Sequence, residues 1–196
     1  MGRSGLLDLE KQYALYGAHH RNPINYFLHL LLLWPTLFSA LVLLYFTPTF
    51  SQLEFSPFGK NLSLNFGFFS ALIYSLFYIS LDKKAGSLAA LLAFLSWVGG
   101  SLLASQLGYS LAWKVVLATQ LFGLTGLVIG HVFERRATPV LENLIHVFVM
   151  ELFFIFLEAL QTFCGYEPYP GFNAKVQAKI NAQIKEFHEP NQKKVS

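Results

Sequence analysis

The chain has 196 residues, of which 54% are hydrophobic, 16% aromatic and only 13% charged, with a formal net charge of +3. A charged share about half the ~25% usual in soluble domains excludes an ordinary soluble globular protein and points to one built into a bilayer. So small a net charge gives no ground for a nucleic-acid partner, and the single Cys164 excludes a disulfide framework and any cysteine-based zinc site.

In chain order, residues 5–20 predict a short amphipathic helix, because Leu6, Leu9, Tyr13 and Tyr16 recur at helical spacing. Asp8, Glu10 and Lys11 among those leucines are unlike a secretory signal peptide. Leu6 stands where N-myristoylation wants Ser or Thr. Pro23 disfavours helix in the residue before it and suits the first turn of the next. From Asn22 to Leu53 there is no Asp, Glu, Lys or Arg, and a span needs ~20 apolar residues, so 24–46 is a first span with Pro35 as its place to bend. Pro48, Pro57, Gly59 and Asn61 mark a polar connection. Further spans follow over 62–81, 85–107 and 115–133, joined by Asp82-Lys83-Lys84 and by a tight turn at Gly108-Tyr109-Ser110. Gly99, Gly100, Ser101, Ala104, Gly123, Gly126 and Gly130 would let helices approach closely, a packing role.

The fifth apolar segment, 140–163, contains Glu142, His146, Glu151 and Glu158, with Glu151 and Glu158 on a common face. Charge inside a lipid-exposed span costs several kcal/mol, ~2.5–3.5 on insertion scales, so this segment is expected to lie at the interface or re-enter rather than cross. Residues 174–196 form a basic tail. With four crossings, Arg3, Lys11, Arg21, Lys83, Lys84, Arg135 and Arg136 all fall on one side, and the positive-inside rule makes it cytosolic. The terminal Lys193-Lys194-Val195-Ser196 resembles a dilysine retrieval signal, read in the cytosol, of endoplasmic-reticulum membrane proteins. The expected fold is therefore all-α. It is a single polytopic domain over 1–196, with four transmembrane helices, an amphipathic N-terminal helix, a fifth interfacial or re-entrant helix and both termini cytosolic.

That topology brings His20, His29 and His131 to one membrane surface, where His146 can join them. Neutral imidazole is the commonest protein metal ligand, and imidazole with carboxylate suits non-haem iron, although such sites also take zinc. A lone interfacial histidine is usually just a polar residue; three at one depth make a candidate metal centre. Glu134 follows His131 by three residues and shares its helical face, as a ligand or an acid–base group. Asn25, four before His29, could orient that ring. His19 reads as a neighbour of the site and His188 as solvated. There is no GxSxG, HExxH or P-loop pattern and no HxxHH box. A membrane-shaping scaffold and a small metal or lipid transporter remain as alternatives.

Tyr16-x-x-x-His20-x-x-x-x-Asn25-x-x-x-His29, Gly130-His131-x-x-x-Arg135 with Phe133-Glu134 and Pro139, and Gly165-Tyr166-Glu167-Pro168-Tyr169-Pro170-Gly171-Phe172 carry a resemblance. Nearly end to end, the chain resembles the 2-hydroxy fatty acid dioxygenase family of endoplasmic-reticulum proteins, which act in phytosphingosine breakdown to odd-chain fatty acids, and most of all its plant branch. The matched histidines are His20, His29 and His131; His19, His146 and Glu151 stand outside the family pattern. The resemblance implies Fe(II)-dependent α-oxidation, with a 2-hydroxy fatty acid and O2 as substrates and membrane lipid as surroundings. The balance is RCH(OH)COOH + O2 → RCOOH + CO2 + H2O, which needs no external reductant.

Overall fold

The computed structural model describes residues 5–20, 22–53, 62–134 and 149–192. Among these, six helices and one two-stranded sheet follow in the order α1 (Leu9–His19), α2 (Pro23–Leu44), β1 (Ser51–Leu53), β2 (Leu62–Leu64), α3 (Phe66–Leu81), α4 (Lys83–Glu134), α5 (Glu151–Cys164) and α6 (Phe172–Gln192).

The helix starts follow local chemistry. Asp8 accepts the Lys11 N–H and caps α1; Asn22 accepts the Ile24 N–H and caps α2, whose first residue is Pro23. Such caps satisfy amide groups that the first turn leaves without partners. The helix continues through Pro35 to Leu44. Asn65 caps α3, and its Nδ2 donates to the Tyr45 carbonyl, so the expected span over 62–81 is a 16-residue helix preceded by a strand. That strand pairs antiparallel with β1 in the register Ser51↔Leu64 and Leu53↔Leu62, a small sheet the periodicity did not signal.

Helix α4 breaks at Gly108, whose φ of 66° is costly for a residue with a Cβ. Both arms lie along α2. Val42 packs with Ala104 from the first arm and with Ala112 and Val116 from the second. Farther along, Thr36 meets Gly123, Leu32 meets Gly126 and Asn25 meets Gly130. The second arm thus runs antiparallel to α2 and carries residues 130–134 back to the end where α2 begins. The missing side chains at Gly123, Gly126 and Gly130 permit this approach, as the run of small residues suggested.

Among the described residues, two helices, α2 and α4, are long and apolar enough to cross a membrane; α3 is apolar but shorter. Large apolar side chains point outward along all three, among them Phe27, Leu31, Ile73, Leu76, Leu121, Phe122 and Val128. An exposed apolar belt with so many large side chains is rare on soluble monomers.

The largest core cluster joins α1, α5 and α6 to the α3–α4 turn, with Tyr78, Phe153, Phe154, Ile155, Leu157 and Phe172 fully buried. The first half of α5 is therefore covered by protein. The stretch read as a basic tail begins as α6, whose Phe172, Val176 and Ile180 are buried and whose Ile180 packs on Gly17 of α1. The apolar face of α1 is buried between these elements: Tyr13 stacks on Phe172 and tilts against Phe154.

Candidate metal centre

His20 closes α1 as its C-cap, and its backbone N–H and ring Nδ1 both reach the Tyr16 carbonyl, at 3.0 and 3.1 Å. His29 lies within α2, with Nδ1 2.9 Å from the Asn25 carbonyl. A carbonyl only accepts, so each Nδ1 carries the proton and Nε2 keeps the lone pair that a metal needs. Backbone carbonyls four residues upstream thus fix the ring tautomers. For His29 the residue is Asn25, as its position four before the histidine suggested, acting through its main-chain carbonyl. His131 comes from the end of α4. The three ring centroids are 4.9, 5.5 and 4.8 Å apart, each pair edge-on, and one ligand atom from each lies within 4.8 Å of the others. His20 and His29 are buried, and His131 is half-buried.

Glu134 has a definite place. Its Oε2 accepts from the Asn22 backbone N–H at 3.0 Å and from Asn25 Nδ2 at 3.3 Å, while Asn22 Nδ2 donates to the Phe133 carbonyl at 3.2 Å. A carboxylate at the start of α2 also complements the positive end of that helix. The α2–α4 corner is pinned in this way, which sets the separation of His29 and His131. Gly130 belongs to the same corner: a Cβ there would stand 2.6 Å from Asn25 Oδ1 and 3.5 Å from His29 Cε1. Its role goes beyond packing.

One face of α5 meets α1 as a polar ladder. Tyr13 donates to Gln161 Oε1 and Tyr16 to Glu158 Oε2, each at 2.8 Å, and Glu151 Oε1 faces His20 Nε2 at 3.9 Å. Glu151 and Glu158 do share the face their spacing indicated; that face is directed at α1, where Glu151 meets His20 and Glu158 meets Tyr16. Burial pushes the Glu151 carboxyl up to about 8. Burial raises Glu158 to about 7, opposed by the hydrogen bond from Tyr16. The Tyr16 ring stacks on His20 with centroids 4.4 Å apart. Burial, with Glu158 beside it, holds its phenol well above the ordinary value, so the donated proton stays on Tyr16. A cavity of about 370 Å³ opens beside His20 between α1, α5 and α6, lined by Tyr16, Glu158, Gln161, Asn173 and Gln177 among others.

The structure therefore brings together His20, His29 and His131, with Glu134 at the edge of the group. His146, also expected as a ligand, lies outside the described residues, as do Arg21, Arg135, Arg136 and Glu142. Sequence reasoning gave Glu151 no place at the site; its one signal was a charge interrupting an apolar helix. Three convergent imidazoles, two with Nδ1–H groups held by carbonyls, form a donor set that suits a first-row divalent ion.

Over residues 6–163 the chain matches the protein family described as 2-hydroxy-palmitic acid dioxygenase Mpo1-like. The match runs from before α1 to within one residue of the end of α5, takes in His20, His29 and His131, and ends before α6. The chain is also 28% identical over 157 residues to the 2-hydroxy-palmitic acid dioxygenase MPO1 of Saccharomyces cerevisiae, covering 80% of this chain and 82% of that protein. No solved structure matches.

Proposed function

The chain belongs to the Mpo1-like family of 2-hydroxy-palmitic acid dioxygenases, and on that premise we propose that it is an Fe(II)-dependent dioxygenase that shortens 2-hydroxy fatty acids by one carbon. The observation that carries the reading is the meeting of His20, His29 and His131 from three separate helical elements within 4.8 Å. Iron held there would supply the one-electron chemistry through which O2 reacts with a closed-shell acid. The three imidazoles bind; the Tyr16 and Asn25 carbonyls keep Nε2 of His20 and His29 unprotonated; Glu134 holds the α2–α4 corner and takes the acid–base role at the 2-hydroxyl. The surrounding side chains limit water access, since His20 and His29 are buried.

In the same reading α2, α3 and the two arms of α4 are four crossings of the endoplasmic-reticulum membrane, with both termini cytosolic. The outward apolar belt supports this, and it explains why such an enzyme is membrane-bound: the acyl chain of its substrate dissolves there while the polar head meets the histidines.

The test is purified full-length protein with Fe(II) and 2-hydroxyhexadecanoic acid under air. Pentadecanoic acid and CO2 should form with one O2 consumed per acid, and His20→Ala, His29→Ala and His131→Ala should each abolish turnover. Absence of pentadecanoic acid, with the three variants indistinguishable from the parent, would sink the enzyme reading. Metal binding without O2 consumption would identify a carrier instead.

A further inference from the structure

We propose that Glu151 is a fourth protein ligand of the metal centre, completing a set of three imidazoles and one carboxylate. The proposal rests on the reading of His20, His29 and His131 as ligands and extends it to α5.

The first argument is the ladder between α1 and α5. Gln161 and Glu158 each accept a hydrogen bond of 2.8 Å from a tyrosine of α1. Glu151, two turns before Glu158, faces an imidazole nitrogen at 3.9 Å. That nitrogen is Nε2 of His20, the one left without a proton when Nδ1 donates to the Tyr16 carbonyl. A neutral imidazole lone pair and an ionised carboxylate oxygen are both acceptors, so the ionised pair calls for something positive between them. A shared proton would draw them to ~2.7–3.2 Å. A shared metal ion, bonded at ~2.0–2.2 Å to each, separates them by as much as ~4.2 Å. The 3.9 Å spacing is wider than a shared proton allows and lies inside the limit for a shared ion.

The second argument is burial. The Glu151 side chain is 11% exposed and begins a stretch in which Leu152, Phe153, Phe154, Ile155 and Leu157 are all buried. A carboxyl in such surroundings stays ionised only when it is paired or bound to a metal. With Glu151 included, α1, α2, α4 and α5 each supply a donor, so the ion would tie α5 to the α2–α4 corner.

Co(II) is the probe, titrated into metal-free full-length protein in lipid nanodiscs. Glu151→Leu and Glu151→Gln should each weaken Co(II) binding on the order of tenfold or more and change the d–d absorption bands. Glu10→Gln, which removes a carboxylate paired with Lys179 on another face of α1, should leave both unchanged. Glu151→Leu exchanges a buried carboxyl for an apolar side chain, so the metal-free variant should melt no lower than the parent. Should it fail to fold, Glu151→Gln keeps the shape and carries the same test. Co(II) affinity within twofold of the parent with identical bands would overturn the proposal. A parent that binds no Co(II), or binds it equally well after His29→Ala, would instead overturn the three-histidine centre.

Discussion

His29 is positioned by what surrounds it more than by its own rotamer. Its Nδ1 is tied to the Asn25 carbonyl, the Asn25 side chain is tied to Glu134, and Gly130 leaves the room that both need. Gly130→Ala should therefore act as a metal-site mutation: the added methyl displaces Asn25 Oδ1 and, through it, His29. We expect metal affinity to fall by roughly 10–100-fold with helical content intact, read by Co(II) titration beside circular dichroism. Tyr16 gives a different outcome. Tyr16→Phe keeps the carbonyl and the ring that stacks on His20 but removes the donor to Glu158, at a cost of ~1–3 kcal/mol for the acceptor left behind. Glu158 titrates at about 7 in the fold against an ordinary 4.5. The folded state thus holds that proton more tightly, and the resulting stability is full below pH 4.5 and lost as pH rises through 7. Thermal melts of the metal-free protein should show midpoints falling over that interval, with a smaller fall in Glu158→Gln.

The elements are joined where side chains are absent. Between α3 and α4, a Cβ on Gly86 would land on the Tyr78 carbonyl oxygen. Backbone cannot move aside there, because the same carbonyl accepts the Asp82 N–H that ends α3. At Gly99 a Cβ would approach the Phe38 ring to 3.3 Å, and a ring can shift. Gly86→Ala should abolish the folded, monodisperse protein on detergent gel filtration, whereas Gly99→Ala should elute as the parent does. Helix α6 shows the complementary case, since Phe172, Val176 and Ile180 bury an apolar stripe inside a segment whose composition reads as a basic tail. That stripe is legible at helical spacing, but the Lys and Glu residues around it obscure it.

For the whole molecule, the turn at Gly108 and the histidines at the start of α2 lie at opposite ends of the α2–α4 bundle. If the bundle crosses the bilayer as proposed, Cys164 is cytosolic and Ser110 lumenal. At ~1.5 Å per residue the 16 residues of α3 reach ~24 Å, short of the ~30 Å hydrocarbon core, so α3 is the shortest of the four proposed crossings. In sealed microsomes an impermeant maleimide should label exposed Cys164 at once. Ser110→Cys in a Cys164→Ser background should be labelled only after permeabilisation. A probe at Ser51→Cys tests the α2–α3 side in the same way and should behave like Ser110→Cys. Labelling of Ser51→Cys without permeabilisation would remove α2 or α3 from the count.

The sequence by itself determined the helical, apolar character of the chain, the break at Gly108, the small-residue stretches of α4 that admit a close neighbour and the histidines on which the centre is built. Each of these follows from composition, from residues with special backbone freedom, or from periodicity along one helix. The tertiary structure alone decided which polar groups meet. Glu151 faces His20, Glu158 accepts the Tyr16 hydrogen bond, and Glu134 serves Asn22 and Asn25 because of the axial offset and rotation of α5 and α4 against α1 and α2. Helical period gives the face on which a residue lies; only packing between helices fixes its height along the neighbour, and a metal site or a hydrogen bond depends on that height to within an ångström.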